Sequence, residues 1–316
     1  MIKIIPQYLK IKDDSVIIKN DDPKLTELYK LHGWSHFYGF NNEKNLFSFT
    51  FNDLVLLNIK ITRDIFNSNL LHFEQAKVNY QINQTFIWDD FILNELSSVL
   101  NKFIKGLQFK LFNLKIIGNS PIEILLFQKA GFNLVLGNSM FLLAKTNHIN
   151  PINLDKSLYD IEIIDLKFNK LDNSLISQLL FIAKNSFFED RFFLDVNISR
   201  QQAELRFLKI VENALKGEIA DYIVLNRNKT NIISYIFFGI SNKYAGKWFT
   251  SISQPNNVSK GLNILALYNA IDYFRENKIK WTFTCLNTNL ATINASMHLG
   301  FKPVAISYDF HFWNKN

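Results

Sequence analysis

A polar loop between an apolar strand and an amphipathic helix is the segment of the sequence best suited to chemistry. The strand contains WFTSISQ (248–254), the loop is PNNVSKGLN (255–263), and an apolar stripe at helical spacing follows. A helix N-terminus presents unpaired main-chain N–H groups and a partial positive charge of about half a unit, which suits a diphosphate. The residues expected to hold this anion are Val258, Ser259, Lys260, Gly261, Leu262 and Asn263.

A second pattern occurs twice. The segments GNSPIEILLFQKAGFNLV (118–135) and NTNLATINASMHLGFKPV (287–304) each place an Asn or Ser before a short apolar helix, which ends at Gly-Phe and precedes a strand. Glycine ends helices because it adopts the left-handed conformation at little cost. Two halves that end alike predict two domains of one architecture.

The elements that must position these residues can be read from residue 159 to the end of the chain. Their predicted order is β-α-α-β-β-β-α-β-α-β, with the polar loop between the fourth strand and the third helix. The polar segment AKTNHINPINLDKS (144–157) has no useful periodicity and contains a proline. We therefore expect one domain over 1–148 and a second over 156–316.

Composition excludes several classes of protein. The net charge of +7 comes from scattered Lys and Arg, so a nucleic-acid partner is not expected. The histidines lack metal-ligand spacing, and the single cysteine, Cys285, rules out a cysteine zinc site and an intrachain disulfide. No apolar run reaches the roughly 18 residues of a membrane span, and the N-terminus lacks a signal core. A cytoplasmic protein without a metal or a membrane partner is expected, with Cys285 a small filler on a buried strand.

The strand order, the loop and the closing N…GF helix resemble the GCN5-related N-acetyltransferase (GNAT) superfamily. In that family the loop reads Gln/Arg-x-x-Gly-x-Gly/Ala and cradles the pyrophosphate of acetyl-CoA. Here Gly261 matches the central position, whereas Val258 and Asn263 depart from the pattern. The resemblance implies an α+β fold of two tandem GNAT-like domains, each a mixed, mostly antiparallel sheet flanked by helices. It also implies acetyl-CoA as cosubstrate.

A narrower resemblance is to acetyltransferases of the dTDP-fucosamine type. It rests on GWSHFYGF (33–40), FFEDRFFLDVNI (187–198), VENALKG (211–217), TCLNTNLATINASMHLGF (284–301) and FHFW (310–313), in that order. It implies transfer of acetyl from acetyl-CoA to the amine of a nucleotide-linked amino sugar, in surface-polysaccharide synthesis. The first domain would be a reduced copy without the cofactor loop that shapes or covers the sugar pocket. A homodimer is a further expectation from the superfamily.

The resemblance also assigns roles near the reacting atoms. Main-chain N–H groups at Ile252 or Ser253 would stabilise the oxyanion. The tyrosine that often protonates the leaving thiolate in the family is replaced by Ser296, so a water relay or Tyr308 would serve instead. Asn289 would cap the last helix, and it could also contact the pantetheine arm.

Carboxylates in 187–198 are candidates for the base that deprotonates the amine. Glu189 and Asp195 could act through a water chain. In a purely structural alternative, Asp190 and Asp195 cap turns and pair with Arg191.

Two other functions stay open on the sequence alone. The first is acetyl transfer to a different amine, such as an amino acid or a peptide. The second is a non-catalytic tandem protein that binds coenzyme A or another ligand, which the residues at positions 258, 263 and 296 favour.

Overall fold

The chain folds into two compact units. A computed structural model describes residues 3–6, 46–52, 54–118, 120–144, 149, 160–186, 190–228, 231–240, 245–253, 262–277 and 279–315. The first unit contains the described residues up to Gly137 together with those from Ile306 onwards, and the second contains Asn138–Ala305. Neither unit is therefore a continuous half of the sequence.

The first unit is a mixed sheet with its apolar core on one face. Its strand order is β1-β2-β3-β4-β5-β12, in which only the β4–β5 pair is parallel. Apolar residues of β3, β4, β5 and β12 pack against helices α2 and α3. The elements up to residue 143 are β1 (Lys3–Pro6), β2 (Leu46–Phe51), β3 (Leu54–Arg63), α1 (Ile65–Leu71), β4 (Gln75–Ile82), α2 (Asp90–Lys105), β5 (Leu111–Ile117), α3 (Pro121–Lys129) and β6 (Asn133–Leu143).

The second unit is also a mixed sheet, with an apolar core on each face. Its strand order is β6-β11-β10-β9-β8-β7, and β10–β11 is the parallel pair. Helices α4 and α6 cover one face and α7 covers the other. The remaining elements are β7 (Asp160–Asp165), α4 (Asn173–Asn185), α5 (Arg191–Leu194), α6 (Arg200–Leu215), β8 (Tyr222–Asn228), β9 (Asn231–Ile240), β10 (Ala245–Ser253), α7 (Leu262–Tyr273), β11 (Lys280–Leu286), α8 (Leu290–His298) and β12 (Lys302–Trp313).

The element order predicted from residue 159 onwards is confirmed, with one addition. The short helix α5 lies between the first two predicted helices. Asp190 caps it by accepting hydrogen bonds from the main-chain N–H groups of Phe192 and Phe193. The linker expected at 144–157 lies mostly outside the described residues, so the domain limits at 148 and 156 stay a prediction.

The repeated helix ends have the same geometry in both copies. Gly131 and Gly300 each have a φ of 95°, which only glycine adopts readily. The next residue, Phe132 or Phe301, donates its main-chain N–H to the carbonyl five residues earlier, at 2.9 Å and 3.0 Å. This is the Schellman arrangement, which satisfies carbonyls at the helix end. Both phenylalanines are then buried.

The strands that follow the two repeated helices do not stay in their own halves. β12 follows α8 in sequence, but its residues from Ser307 to Trp313 pair with β5 in the first unit. Conversely, β6 follows α3, but its residues from Asn138 to Leu143 pair with β11 in the second unit. Each sheet is completed by a strand from the other half of the sequence.

Apolar burial and polar pairing both hold β12 against β5. Phe310 and Phe312 are buried in the core of the first unit. On the opposite face, Lys115 and Asp309 are neighbours across the strands and form an ion pair at 3.6 Å. Beyond the strand, the Asn314 side chain donates to main-chain carbonyls at the end of α2. The register of β12 is therefore specified by more than hydrophobicity.

The strand assignment can be tested with two matched substitutions. Phe310→Ala should cost about 3–5 kcal/mol, because the ring is fully buried. Amide hydrogen exchange should accelerate in β4 and β5 of the first unit, although residue 310 comes after all the elements of the second unit in sequence. Phe301→Ala, a control with the same loss of a buried ring, should accelerate exchange in β11 and α7 instead. Faster exchange confined to the second unit in Phe310→Ala would contradict the assignment.

Candidate functional site

A cleft opens in the second unit because β10 keeps one neighbouring strand and loses the other. β10 pairs with β11 only at Ala245, Gly246 and Lys247. It continues to pair with β9 as far as Ser253, with a bulge between Trp248 and Thr250. Over the described residues, the second half of β10 therefore has main-chain groups facing β11 without a strand to bind them. The divergence of two parallel strands leaves a wedge-shaped gap between them.

Helix α7 follows β10 in the chain and leads to β11. Its first two residues are Leu262 and Asn263, and its first turn carries no acidic side chain. Ile252 and Ser253, the expected oxyanion donors, are the last two residues of β10. Phe274, just after α7, contacts Phe238, which pairs with Trp248 near the start of β10, so α7 begins towards the other end of that strand. Val258, Ser259, Lys260 and Gly261 lie outside the described residues, so their role in anion binding stays a prediction.

Helix α8 follows β11, the other strand of the gap. Asn289 is confirmed as its N-cap, since the side-chain oxygen accepts from the Thr292 N–H at 3.1 Å. Ser296 is buried, and its hydroxyl donates to the Thr292 carbonyl at 2.7 Å. The proton of Ser296 is therefore engaged within the helix. A direct role as proton donor would require this bond to break.

Tyr308 lies in the first unit. It pairs with Ile116 on β5 and packs against the core of that unit. Ser296, the other candidate proton donor, lies in the second unit.

The carboxylates of 187–198 are used locally. Asp190 caps α5 and pairs with Arg206 at 2.6 Å, while the Arg206 guanidinium lies 3.9 Å from the centre of the Phe192 ring. Asp195 is buried and accepts from the N–H and the side-chain amide of Asn197, at 2.8 Å and 3.0 Å. These contacts support the capping roles of the structural alternative for both aspartates, and the ion-pair partner found for Asp190 is Arg206, where Arg191 was expected. Glu189 lies outside the described residues.

The first unit contains a corresponding cleft, which the sequence did not predict. β4 pairs with β5 only from Gln75 to Val78, but it pairs with β3 as far as Ile82. In this unit a side-chain hydrogen bond joins β4 to α3, the helix that follows β5. The Tyr80 hydroxyl, beyond the point of divergence, donates to the Glu123 carboxylate on α3, and the Tyr80 ring packs 4.8 Å from Phe127.

The helix that follows this first cleft has an acidic start. Asp89 caps α2 by accepting from the Ile92 N–H at 2.8 Å, and Asp90 lies in the first turn. Negative side chains at a helix start stabilise the helix and repel anions. A sequence signal existed, because residues 78–101 contain no Lys or Arg.

Burial raises the pKa of a carboxyl and of a thiol in the described residues. Burial raises the pKa of Glu123, although hydrogen bonds from Tyr80, Ser120 and Gln84 partly oppose the shift. Burial also raises the pKa of Cys285 to about 12. Cys285 is therefore a protonated, unreactive thiol inside the β11 core, as expected from the sequence.

No cluster of three or more His, Cys, Asp or Glu side chains in the described residues could share a metal ion. No helix in this part of the chain is long and apolar enough to cross a lipid bilayer.

The buried carboxyl predicts a pH-dependent stability. The folded pKa of Glu123 lies above its ordinary value of 4.5, so ionisation favours the unfolded chain. Stability should fall as pH rises from that value through the raised folded pKa, and then level off. Glu123→Gln keeps an acceptor for Tyr80 without the charge. It should raise the Tm near about pH 7.5 and lose this advantage near about pH 4. Glu95→Gln, an exposed control on α2, should change neither value, and an equal effect of both substitutions would contradict the assignment.

Comparisons with known proteins show a shared fold. No protein-family model matches the chain, and no curated protein does so either. Among solved structures, a tandem GNAT protein from the clavulanic acid biosynthesis pathway has a TM-score of 0.54 at 8% identity, covering 100% of this chain and 99% of its own.

Two further solved structures share this fold. A GCN5-related N-acetyltransferase from Sphaerobacter thermophilus has a TM-score of 0.56 at 9% identity, covering 90% of this chain and 85% of its own. A GNAT-family acetyltransferase from Colwellia psychrerythraea has a TM-score of 0.50 at 13% identity, covering 99% of both chains. Identities this low establish the fold alone. The chain thus has an α+β fold of the tandem GNAT type.

Proposed function

We propose that the protein is an acyl-CoA-dependent N-acetyltransferase whose coenzyme occupies the cleft of the second unit. One observation carries the proposal. β10 leaves β11 after Lys247, and the helix that follows β10 starts without an acidic residue. The open strand edge and the positive helix end together fit a ligand with a diphosphate at one end and an extended amide chain at the other.

The fit follows from the hydrogen-bonding needs of the backbone. Main-chain groups of β10 beyond Lys247 face the gap, and buried groups of this kind need partners. The amides of a pantetheine arm can bind such an edge as an added strand would. The partial positive charge at the start of α7 suits the pyrophosphate. Lys260 and Gly261 are proposed to complete that site.

The chemistry would occur at the end of β10. Main-chain N–H groups at Ile252 or Ser253 would stabilise the negative charge on the reacting carbonyl oxygen. Asp195 or Glu189, through water, would remove a proton from the amine. Because the Ser296 hydroxyl already donates to Thr292, a water relay is the more direct source of a proton for the thiolate.

The proposed acceptor is the amine of a nucleotide-linked amino sugar, in surface-polysaccharide synthesis in the cytoplasm. Support comes from the ordered sequence motifs between residues 187 and 313 and from the paired units. The net charge of +7 suits an anionic nucleotide. The first unit would shape the sugar pocket, and a homodimer is proposed from the resemblance alone.

The contrast between the clefts predicts one coenzyme per chain. In the first unit Tyr80 and Glu123 bridge the gap, and Asp89 and Asp90 place negative charge where a pyrophosphate would lie. The first cleft is thus closed and has the wrong charge for coenzyme A.

A second candidate function is a tandem protein that binds the coenzyme without transferring acetyl. The engaged hydroxyl of Ser296 favours it. Transfer to an amino acid or a peptide amine is the remaining enzymatic alternative.

Titration calorimetry with coenzyme A tests the cleft. We expect one site per chain and a loss of affinity of at least about tenfold in Gly261→Asp, because a carboxylate would repel the pyrophosphate. Ser98→Asp is the control, because Ser98 is exposed on α2 of the first unit. Two sites, or no binding at millimolar coenzyme, would contradict the proposal.

The acceptor is tested by release of free coenzyme from acetyl-CoA. A panel should contain nucleotide-linked amino sugars, free amino sugars, amino acids and peptides. Turnover only with the nucleotide-linked sugars is expected. Coenzyme binding without turnover on any amine would favour the non-catalytic candidate.

A further inference from the structure

A polar pair is buried within the sheet of the second unit. Asn226 on β8 and Ser234 on β9 are both 0% exposed, and the Asn226 amide donates to the Ser234 hydroxyl oxygen at 2.6 Å. They are direct neighbours across the strands, at the point where the β8–β9 register shifts. Burying two polar side chains costs free energy that an apolar pair would not. Their position therefore needs an explanation other than stability.

The pair lies on the face of the sheet that carries α7. Side chains alternate along a strand, so Asn226 shares a face with Val224, and Ser234 shares one with Ile236. Val224 and Ile236 belong to the core that contains Ala266, Leu267, Ala270 and Ile271 of α7. The polar pair thus lies on the same face as the helix that the proposed cleft needs.

Distances along the strands place the pair under the first half of α7. Phe274, just after α7, contacts Tyr222 and Phe238, with ring centres 5.0 Å and 5.6 Å away. Tyr222 and Phe238 are themselves paired, and Asn226–Ser234 is the pair about 13 Å further along, at roughly 3.3 Å per residue. Helix α7 runs about 18 Å back from Phe274 to its start. The pair therefore lies towards the end of α7 that adjoins the cleft.

The pair is also aligned with the end of β10 across the sheet. Ser234 is in register with Ser253, the last residue of β10. Positions 226, 234 and 253 therefore form a row across three strands. This end of β10 has β9 on one side and the gap on the other, so β9 is its support within the sheet.

We propose that Asn226 and Ser234 are positioning residues for acetyl transfer. Their hydrogen bond holds β9 on β8, and β9 pairs with Ser253, so the pair supports the end of β10 where the reacting carbonyl oxygen must bind. The inference rests on the proposed function, because it needs a reaction at that strand end. Displacing a catalytic donor by about 1 Å can reduce a rate a hundredfold, so a small shift is enough.

The first test is Ser234→Ala, which removes the acceptor of the Asn226 hydrogen bond. We expect kcat to fall by about tenfold or more, with the Kd for coenzyme A within about twofold of the wild-type value. Ser97→Ala is the matched control, because Ser97 is also buried and hydrogen-bonded but lies on α2 of the first unit. It should lose stability and keep its kcat.

A second variant separates positioning from folding. Asn226→Val combined with Ser234→Val replaces the polar pair by side chains that suit a buried strand. Its Tm should be at least as high as that of Ser234→Ala, and its kcat should stay low. A wild-type kcat in either variant would overturn the inference. A fall in kcat matched by an equal loss of coenzyme affinity would also overturn it, since the pair would then act in binding.

Failure of the proposed function would show separately. A wild-type protein that binds no coenzyme A, or that acetylates no amine in the panel, removes the reaction and with it any positioning role. An active wild-type protein with unaffected variants leaves the proposed function standing and removes only the inference about Asn226 and Ser234.

Discussion

The structure of the second unit depends on a strand that loses one of its neighbours. β10 is bound to β9 along its length but to β11 over its first three residues only. The main-chain groups beyond that point must be satisfied by water or by a ligand, because no described strand reaches them. Helix α7 starts just beyond the same end of β10. A cleft with a polar wall and a positive end therefore follows from strand pairing, before any side chain is considered.

The first unit has the same strand divergence with a different outcome. Tyr80 and Glu123 bridge its gap, and α2 begins with two aspartates where α7 has no acid. The backbone of each unit allows a ligand between two strands. A few side chains decide whether the gap stays open and which charge it favours. In the second unit, the buried Asn226–Ser234 pair lies on β8 and β9, in the row of residues that ends at Ser253 on β10.

Local features of the fold could be predicted from the sequence, and long-range pairings could not. The caps at Asn289 and Ser120 and the glycines after both repeated helices follow from short-range backbone chemistry. The exchange of β6 and β12 depends on which apolar strand edge is available, which no local pattern encodes. In the site, the family resemblance identified position 296, but only the structure shows its hydroxyl bound to Thr292. The Tyr80–Glu123 bridge joins residues 43 positions apart, and pairing at that separation has no sequence signature.

The strand exchange makes each unit incomplete without the other half of the chain. β6 supplies Phe141 and Leu143 to the core of the second unit, and the Phe141 ring stacks 5.1 Å from Phe283 on β11. Without β6, the β11 edge would expose unpaired main-chain groups beside an apolar surface, which is the arrangement that promotes aggregation. β12 has the same relation to β5 in the first unit, through Phe310 and Phe312. The first unit therefore has a structural role even without a ligand in its cleft, because its sheet pairs with β12.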